Sequence, residues 1–288
     1  MKSNKEVWRI DTILNWTRQY FGEKGVENPR LDAEVLLSHI LGRDRLYLYV
    51  HFDQPLEGGE LAAFRAAVKK RAMRLPVAYI TGVKEFMGLD FKVTPAVLIP
   101  RPDTEILVET ALKRLATFDS PKLLDIGTGS GAICISMLVN LPSAKAVTVD
   151  ISPEAIVVAK ENGEKHGVAK RLTFCQGDLF HPVVGQVFTA ILSNPPYIPE
   201  VDMTTLTPEV RQEPDLALVG GKDGLDFYRR IIHEGANYLA PGGFIAMEVG
   251  IGQAQEVAKL AGESGFFAVS EIVKDYGGIE RVVVLTHK

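Results

Sequence analysis

Residues Leu123 to Ile133 read LLDIGTGSGAI. An apolar run ends at Ile126, glycines follow at Gly127, Gly129 and Gly131, and a second apolar run begins at Ala132. Glycines between a strand and a helix let backbone approach a ligand closely, and a helix N-terminus favours negative or electron-rich groups. Gly127, Gly129 and Ala132 also satisfy the dinucleotide pattern G-x-G-x-x-G/A. The acidic Asp150 closes the next strand roughly 20 residues on, where it can accept both hydroxyls of a ribose. From these residues alone a dinucleotide site and an S-adenosylmethionine site stand level.

Outward from this stretch, strands and helices alternate. The runs KLLDIG, KAVTVDIS, LTFCQGD, FTAILSN and GFIAMEVG are short, apolar and rich in β-branched residues; helical segments Ala132–Leu138, Pro153–His166 and Phe227–Leu239 separate them. Such alternation predicts a parallel sheet with helices on both faces. The C-terminal FFAVSEIVKDYGGIERVVVLTHK departs from it: two strands flank Tyr276-Gly277-Gly278, too close for a crossover helix, and predict an antiparallel hairpin on the sheet edge. Upstream, β-rich runs flank Gly88 and predict a hairpin followed by an extended connector. Before about Leu75 the pattern is helical: Val7, Ile10, Ile13, Leu14 and Thr17 in one segment, Ala33, Leu36, Leu37 and Ile40 before Gly42 in a second, and LAAFRAAVKKRAMR as a third with a basic, solvated end. The expected organisation is a helical bundle over 1–75, a hairpin connector over 76–102 and an α/β domain over 103–288.

The bulk numbers exclude several classes. With 288 residues, 46% hydrophobic, 24% charged and a net charge of −4, the chain reads as globular and soluble, with no general excess of positive charge for nucleic acid or anionic membrane. The opening MKSNKEVWRI lacks an apolar leader core, and no run of 18 or more apolar residues occurs, so a cytoplasmic protein without membrane contact is expected. Cys134 and Cys175 lie in apolar runs and read as buried reduced thiols, and the six scattered histidines form no metal-binding spacing.

The remaining signal is FTAILSNPPYIPE, Phe188 to Glu200. Two prolines fix φ and donate no N–H, so Asn194-Pro195-Pro196-Tyr197 is a stiff corner at the open end of a buried strand. In an open α/β sheet that end faces the same crevice as the glycine loop. A conjugated NH₂ is a poor nucleophile. The side-chain oxygen of Asn194 and the carbonyl of Pro195 can accept its two N–H bonds, align the nitrogen and stabilise positive charge as it develops. Tyr197 can lie against the flat face of an amide or base.

Asp125, two residues before Gly127, gives D-x-G-x-G-x-G, which resembles the first motif of class I S-adenosylmethionine-dependent methyltransferases. Asp178 in QGDLF matches that family's adenine-amino ligand, and the terminal hairpin resembles its antiparallel last strand. The Asn-Pro-Pro-Tyr corner resembles that of enzymes methylating planar NH₂ groups in adenine, guanine or glutamine. In order along the chain, RLDAEVLLSHILG, PVAYITGVKEFMGLDFKV, VLIPRPDTE, DIGTGSGAI, SNPPYIP, EPDLALVGGKDGLDFYRRI, LAPGGFIAMEVG and DYGGIERVV resemble the peptide chain release factor N5-glutamine methyltransferases of the HemK/PrmC type.

That resemblance, from about Arg30 to the C-terminus, implies methylation of the glutamine in the Gly-Gly-Gln loop of class I release factors. S-adenosyl-L-methionine would be the donor and S-adenosyl-L-homocysteine the product, in a seven-stranded Rossmann-like domain, with the helical bundle docking the release factor. It assigns Asp125, Gly127, Thr128, Gly129, Ser130, Gly131, Asp150, Asp178, Leu179 and Asn194 to the cofactor. Asn194, Pro195, Pro196 and Tyr197 go to the substrate, with Asn194, Pro195 and Tyr197 catalytic and no metal. Arg101, Pro102 and Glu105 fall in a connector that covers the cofactor or forms a structural ion pair. A monomer without direct nucleic-acid contact is expected. The chain departs from the family at Leu179, where Trp is common, at Asp103 for Glu, and at Thr189 for Asp. An RNA or DNA amino-methyltransferase and a binding module without activity are the competing readings.

Overall fold

Beyond Gly82 the chain follows the period-two and helical patterns closely. The computed structural model describes residues 7–288; MKSNKE, and with it the expectation of no leader there, lies outside the described residues. Two compact units result, one of residues up to Gly82 with Thr207–Gln212, the other of Val83–Leu206 and Glu213–Lys288.

The first unit holds helices α1 (Ile10–Glu23), α2 (Pro29–Leu41), α3 (Arg45–Val50), α4 (Gly58–Ala72) and α5 (Val77–Thr81). Ile10, Ile13, Phe21, Leu36, Leu37, Phe64 and Val68 form its core. Gly42 ends α2 in the left-handed conformation at φ 60°, as the sequence predicts. Three readings change. Val7 precedes α1 and is 65% exposed. The helices α3 and α5 are too short to show a period; α3 is nucleated by Asp44, whose side chain accepts the Tyr47 N–H at 2.8 Å. The basic end of α4 is not wholly solvated: Arg71 is buried, pairing with Asp32 at 2.7 Å and Glu209 at 2.8 Å. Arg74 adds a two-pronged contact to Glu209 at 2.6 Å. Against burial, which raises it, the Arg74 and Arg71 hydrogen bonds bring the Glu209 carboxyl down to about 2.

The second unit opens with the predicted hairpin, β1 (Val83–Phe86) and β2 (Leu89–Lys92). The helix α6 (Pro102–Leu115) follows, then β3 (Lys122–Ile126), α7 (Ala132–Asn140), β4 (Lys145–Asp150), α8 (Pro153–Lys165), β5 (Leu172–Gln176), β6 (Phe188–Ser193), α9 (Asp226–Gly235), β7 (Leu239–Glu248), α10 (Ala254–Glu263), β8 (Phe267–Lys274) and β9 (Glu280–His287). The larger sheet has seven strands in the order β5-β4-β3-β6-β7-β9-β8. Strands β3 to β7 are parallel, and β9 runs antiparallel to β7 with β8 outside it, as expected for the terminal hairpin. The strand order reverses between β3 and β6, and such a switch point opens a crevice at the carboxyl ends.

Alternation sorts the strand side chains onto two cores. Leu123, Ala146, Ala190, Leu192, Phe244 and Ala246 pack with α6 and α7. Leu124, Ile126, Val147, Ile191, Ile245 and Met247 pack with α9 and α10. By the same period of two, Asp125, Thr148 and Glu248 belong to the first face, at its carboxyl edge. Cys134 is buried as expected, whereas Cys175 on β5 is half-buried; both are free thiols.

Candidate active site

A cavity of about 380 Å³ opens at the carboxyl ends of β3, β4, β5 and β6. The glycine loop forms one wall. Gly129 stands at φ 54°, and an added Cβ would meet no atom within 4 Å, so its backbone lies open to a ligand. Gly131, at φ 82°, caps α7; a Cβ there would fall 2.7 Å from Ile135 Cδ1, so its glycine serves close packing and it does not line the cavity. Asp150 Oδ2 accepts the Gly129 N–H at 2.8 Å and Oδ1 the Ser152 N–H at 2.9 Å. Burial raises the Asp150 carboxyl, and these backbone hydrogen bonds oppose that. Asn162 of α8, which sequence reading passed over, ties the loop to β2: its Nδ2 donates to the Ser130 carbonyl at 2.8 Å and the Lys92 carbonyl at 3.0 Å.

Asp125 does not reach the cavity. It is fully buried behind the loop, its Oδ2 accepting from Thr148 Oγ1 at 2.9 Å. Thr148 in turn is hydrogen-bonded to the Thr128 hydroxyl of the loop. Asp125 Oδ1 has no hydrogen-bond partner among the described residues, and burial pushes the carboxyl up to about 6.

The wall beyond β5 carries Asp178 and Leu179. Leu179 takes a left-handed φ of 44°, which costs an L residue about 1 kcal/mol and turns the side chain into the wall. Asp178 pairs with Arg230 of α9 at 2.5 Å, and Arg230 and Phe227 line the cavity too. Neither was picked out in the sequence; their one signal was membership of the DGLDFYRRI segment.

The opposite wall is Ser193, Asn194, Pro195 and Pro196. Ser193 Oγ donates to the Ile126 carbonyl at 2.8 Å, joining the ends of β6 and β3. Asn194 Nδ2 donates to Thr104 Oγ1 of α6 at 3.0 Å. Tyr197 stands off the cavity, contrary to the expectation that it lies against a ligand. Its ring is partly buried against the second core, and its carbonyl accepts from Gln253 Nε2 at 3.0 Å. Burial and the nearby Glu248 push its phenol up to about 12. The next residue, Ile198, pairs with Val219 in an isolated parallel bridge.

Two of the motif segments meet here. Arg101 of IPRPDTE lines the cavity and pairs with the buried Glu213 of EPDLAL, whose Oε2 also accepts the Ile99 N–H at 2.9 Å. Glu105 turns away and accepts the Met87 N–H at 2.6 Å. Asp103 pairs with Arg281 at 3.0 Å, and Arg281 with Asp275 at 2.9 Å, which brings in the DYGGIER segment. The connector thus supplies both cavity wall and structural ion pair. An open glycine backbone, a ribose-competent carboxylate and a second carboxylate beside an apolar wall fit an adenosyl group bearing a charged tail.

Residues 12–82 match the family described as PrmC N-terminal domain, and 102–210 the methyltransferase small domain. A release factor glutamine methyltransferase of Geobacter sulfurreducens is 51% identical over 284 residues, covering 98% of either chain. Its namesake in Moorella thermoacetica is 46% identical over 89% of this chain and 91% of its own. Among solved structures, the hMettl16 catalytic domain aligns with a TM-score of 0.58 at 14% identity over 81% of this chain and 84% of its own. A methyltransferase from Pyrococcus furiosus aligns at 0.51 and 20% over 80% and 98%. Those two likenesses bear on the fold, which is that of the class I methyltransferases, and the identities with the named relatives decide the family. The chain is a methyltransferase of the S-adenosylmethionine-dependent kind and belongs to the release factor glutamine methyltransferase family.

Proposed function

We propose that this protein transfers a methyl group to the side-chain amide nitrogen of the glutamine in the Gly-Gly-Gln loop of class I release factors. The observation that carries the reading is one cavity walled on one side by the open glycine loop with Asp150 and on the other by Asn194 and Pro195. The relatives named for this activity share 38–51% identity.

Gly127 to Ser130, Asp150, Asp178 and Leu179 would hold S-adenosyl-L-methionine between these walls, where it would supply an electrophilic methyl on a sulfonium, with S-adenosyl-L-homocysteine as the product. The backbone of Gly127 to Ser130 holds the tail, with Thr128 and Gly131 keeping the loop in shape. Asp150 takes the ribose, and Asp178 and Leu179 take the adenine. Leu179 offers an apolar wall without the stacking that a Trp would give. Asn194 Oδ1 and the Pro195 carbonyl accept the two N–H bonds of the glutamine amide and hold its nitrogen towards the methyl. As charge builds on nitrogen, both oxygens face it and lower the barrier. No strong base is required, because the methylated nitrogen is acidic and loses its proton to solvent. Pro196 stiffens the corner, and Tyr197 braces it from behind through its carbonyl. Asp125 supports the loop through Thr148.

In this reading residues 1–75 dock the release factor, 76–102 connect, and 103–288 carry out the chemistry. The enzyme works in the cytoplasm as a monomer, without direct nucleic-acid or membrane contact; among the described residues no helix is long and apolar enough to cross a membrane. Mass spectrometry of a purified release factor after incubation with the protein and S-adenosyl-L-methionine tests the proposal. A single added methyl on the Gly-Gly-Gln glutamine is expected. An unmodified release factor, with the cofactor bound, would overturn the substrate and leave the methyltransferase.

A further inference from the structure

Asn194 can act as an acceptor only if its amide stands one way round. An asparagine amide carries an acceptor at one end and two donors at the other, in nearly the same shape, so a neighbour has to decide which end faces the substrate. Here Nδ2 donates to Thr104 Oγ1 at 3.0 Å. Thr104 lies in the first turn of α6, is only 4% exposed and lines the cavity, and its hydroxyl also faces the Glu248 carboxyl at the end of β7, which it draws down.

A hydroxyl has one proton to give. An ionised carboxylate has none, so beside an ionised Glu248 the Thr104 proton turns towards the carboxyl and lone pairs remain towards Asn194. The NH₂ end alone can answer them. Glu248 is 1% exposed, and its Oε2 has no hydrogen-bond partner among the described residues. A buried, under-satisfied carboxylate opposes folding, so its presence asks for a role. The groups that face it are Arg101 and Asp103 at the start of α6, Arg281 of β9, Tyr197 of the corner and Tyr228 of α9, whose hydroxyl donates to the Glu248 carbonyl at 2.9 Å. Burial raises the carboxyl to about 7, so it is ionised at pH 8.

We infer that Thr104, with its polarity set by Glu248, is a positioning residue that turns the Asn194 amide so that Oδ1 faces the substrate nitrogen. The inference rests on the proposed role of Asn194 as acceptor of the glutamine N–H. It gives the threonine of IPRPDTE a task through Asn194 that neither its burial nor its place in the helix requires.

Two variants test it at pH 8: Thr104→Val, which keeps the shape without the hydroxyl, and Thr104→Ser, which keeps the hydroxyl. The expected result is a roughly tenfold fall in kcat for glutamine methylation in T104V, the loss of one hydrogen bond to a polar group. Its Kd for S-adenosyl-L-methionine should stay as in the wild type, and T104S should recover most of the rate. A second readout needs no substrate: the Asn194 side-chain NH₂, observed by ¹⁵N NMR, should exchange slowly with water in the wild type and T104S and quickly in T104V. Wild-type kcat in T104V, or T104S as slow as T104V, would overturn the inference while leaving the proposed reaction intact. If the wild type leaves the release factor unmodified, the reaction fails instead. Amide exchange then decides alone, and fast exchange in the wild type or equal exchange in T104V overturns the inference.

Discussion

Asp125 and Glu248 are one device built twice on the same face of the sheet. Each is a carboxylate buried at a strand end, each has an oxygen without a partner among the described residues, and each faces a threonine hydroxyl beside a cavity wall. They differ in what the threonine holds. Behind the glycine loop, Asp125 and Thr148 hold Thr128, in a wall whose open groups are backbone. At the corner, Thr104, itself in the cavity lining, holds a side-chain amide, with the buried Glu248 beyond it. A backbone wall needs its conformation fixed, which glycine φ values and Asp150 already do. A side-chain wall needs its polarity fixed as well, which only a directional hydrogen-bond chain can supply.

The largest effect should come from removing the side-chain wall itself. Asn194→Ala is expected to lower kcat by about 10²–10³-fold, as for loss of one preorganised transition-state hydrogen bond, with cofactor affinity nearly intact. Parallel loss of affinity and rate, by calorimetry and steady-state kinetics, would make Asn194 a cofactor ligand and dissolve the contrast between the walls.

Next is the stability cost of the carboxylate behind that wall. The folded Glu248 carboxyl titrates at about 7 against an ordinary 4.5. The folded state therefore keeps this proton to higher pH than the unfolded chain does. Its stabilising effect is complete below pH 4.5 and is lost as pH rises through 7. Glu248→Gln removes that dependence and should stabilise the fold by up to about 3 kcal/mol at pH 8 and by little near pH 4. Equal shifts of the calorimetric Tm at both pH values would mean that Glu248 is not held as described.

On the backbone wall, Asp150→Asn should weaken cofactor binding roughly tenfold, as for one charge-assisted hydrogen bond, and leave kcat at saturating cofactor unchanged. This is the reverse of the Asn194 signature. Unchanged cofactor affinity in a titration would remove Asp150 from the wall. The smallest effect belongs to the third wall, where Asp178 and Arg230 are 36% and 40% exposed at their side chains. An ion pair that open is worth about 0–1 kcal/mol, so Arg230→Met should shift stability by no more than that in denaturant titration.

The glycine loop, Asp150 and the proline corner were legible in the sequence because local patterns encode them, whereas Phe227 and Arg230 of the third wall were not. Three glycines between a strand and a helix, an acidic residue at the next strand end and a double proline after an apolar run each state their conformation within a dozen residues. The same holds for the parallel sheet, from alternating periods of 2 and 3.6, and for the terminal hairpin, from the short spacing at Tyr276 to Gly278. The short helices α3 and α5 were not legible, since six and five residues complete too few turns to show a period.

What lies behind the walls only the tertiary structure decided. Asp125 reads in sequence as a ligand because it precedes the glycines, yet its place on the inward face of β3 puts it behind them. Tyr197 reads as part of the corner, yet its ring packs against the second core and does not line the cavity. The partner of Asn194, Thr104, stands 90 positions before it along the chain, and the carboxylate facing that threonine, Glu248, 54 after it. Sequence fixes the residue types and the local turns because those interactions span a few bonds. Which buried hydroxyl meets which amide depends on strand order and helix placement, and no local pattern carries that.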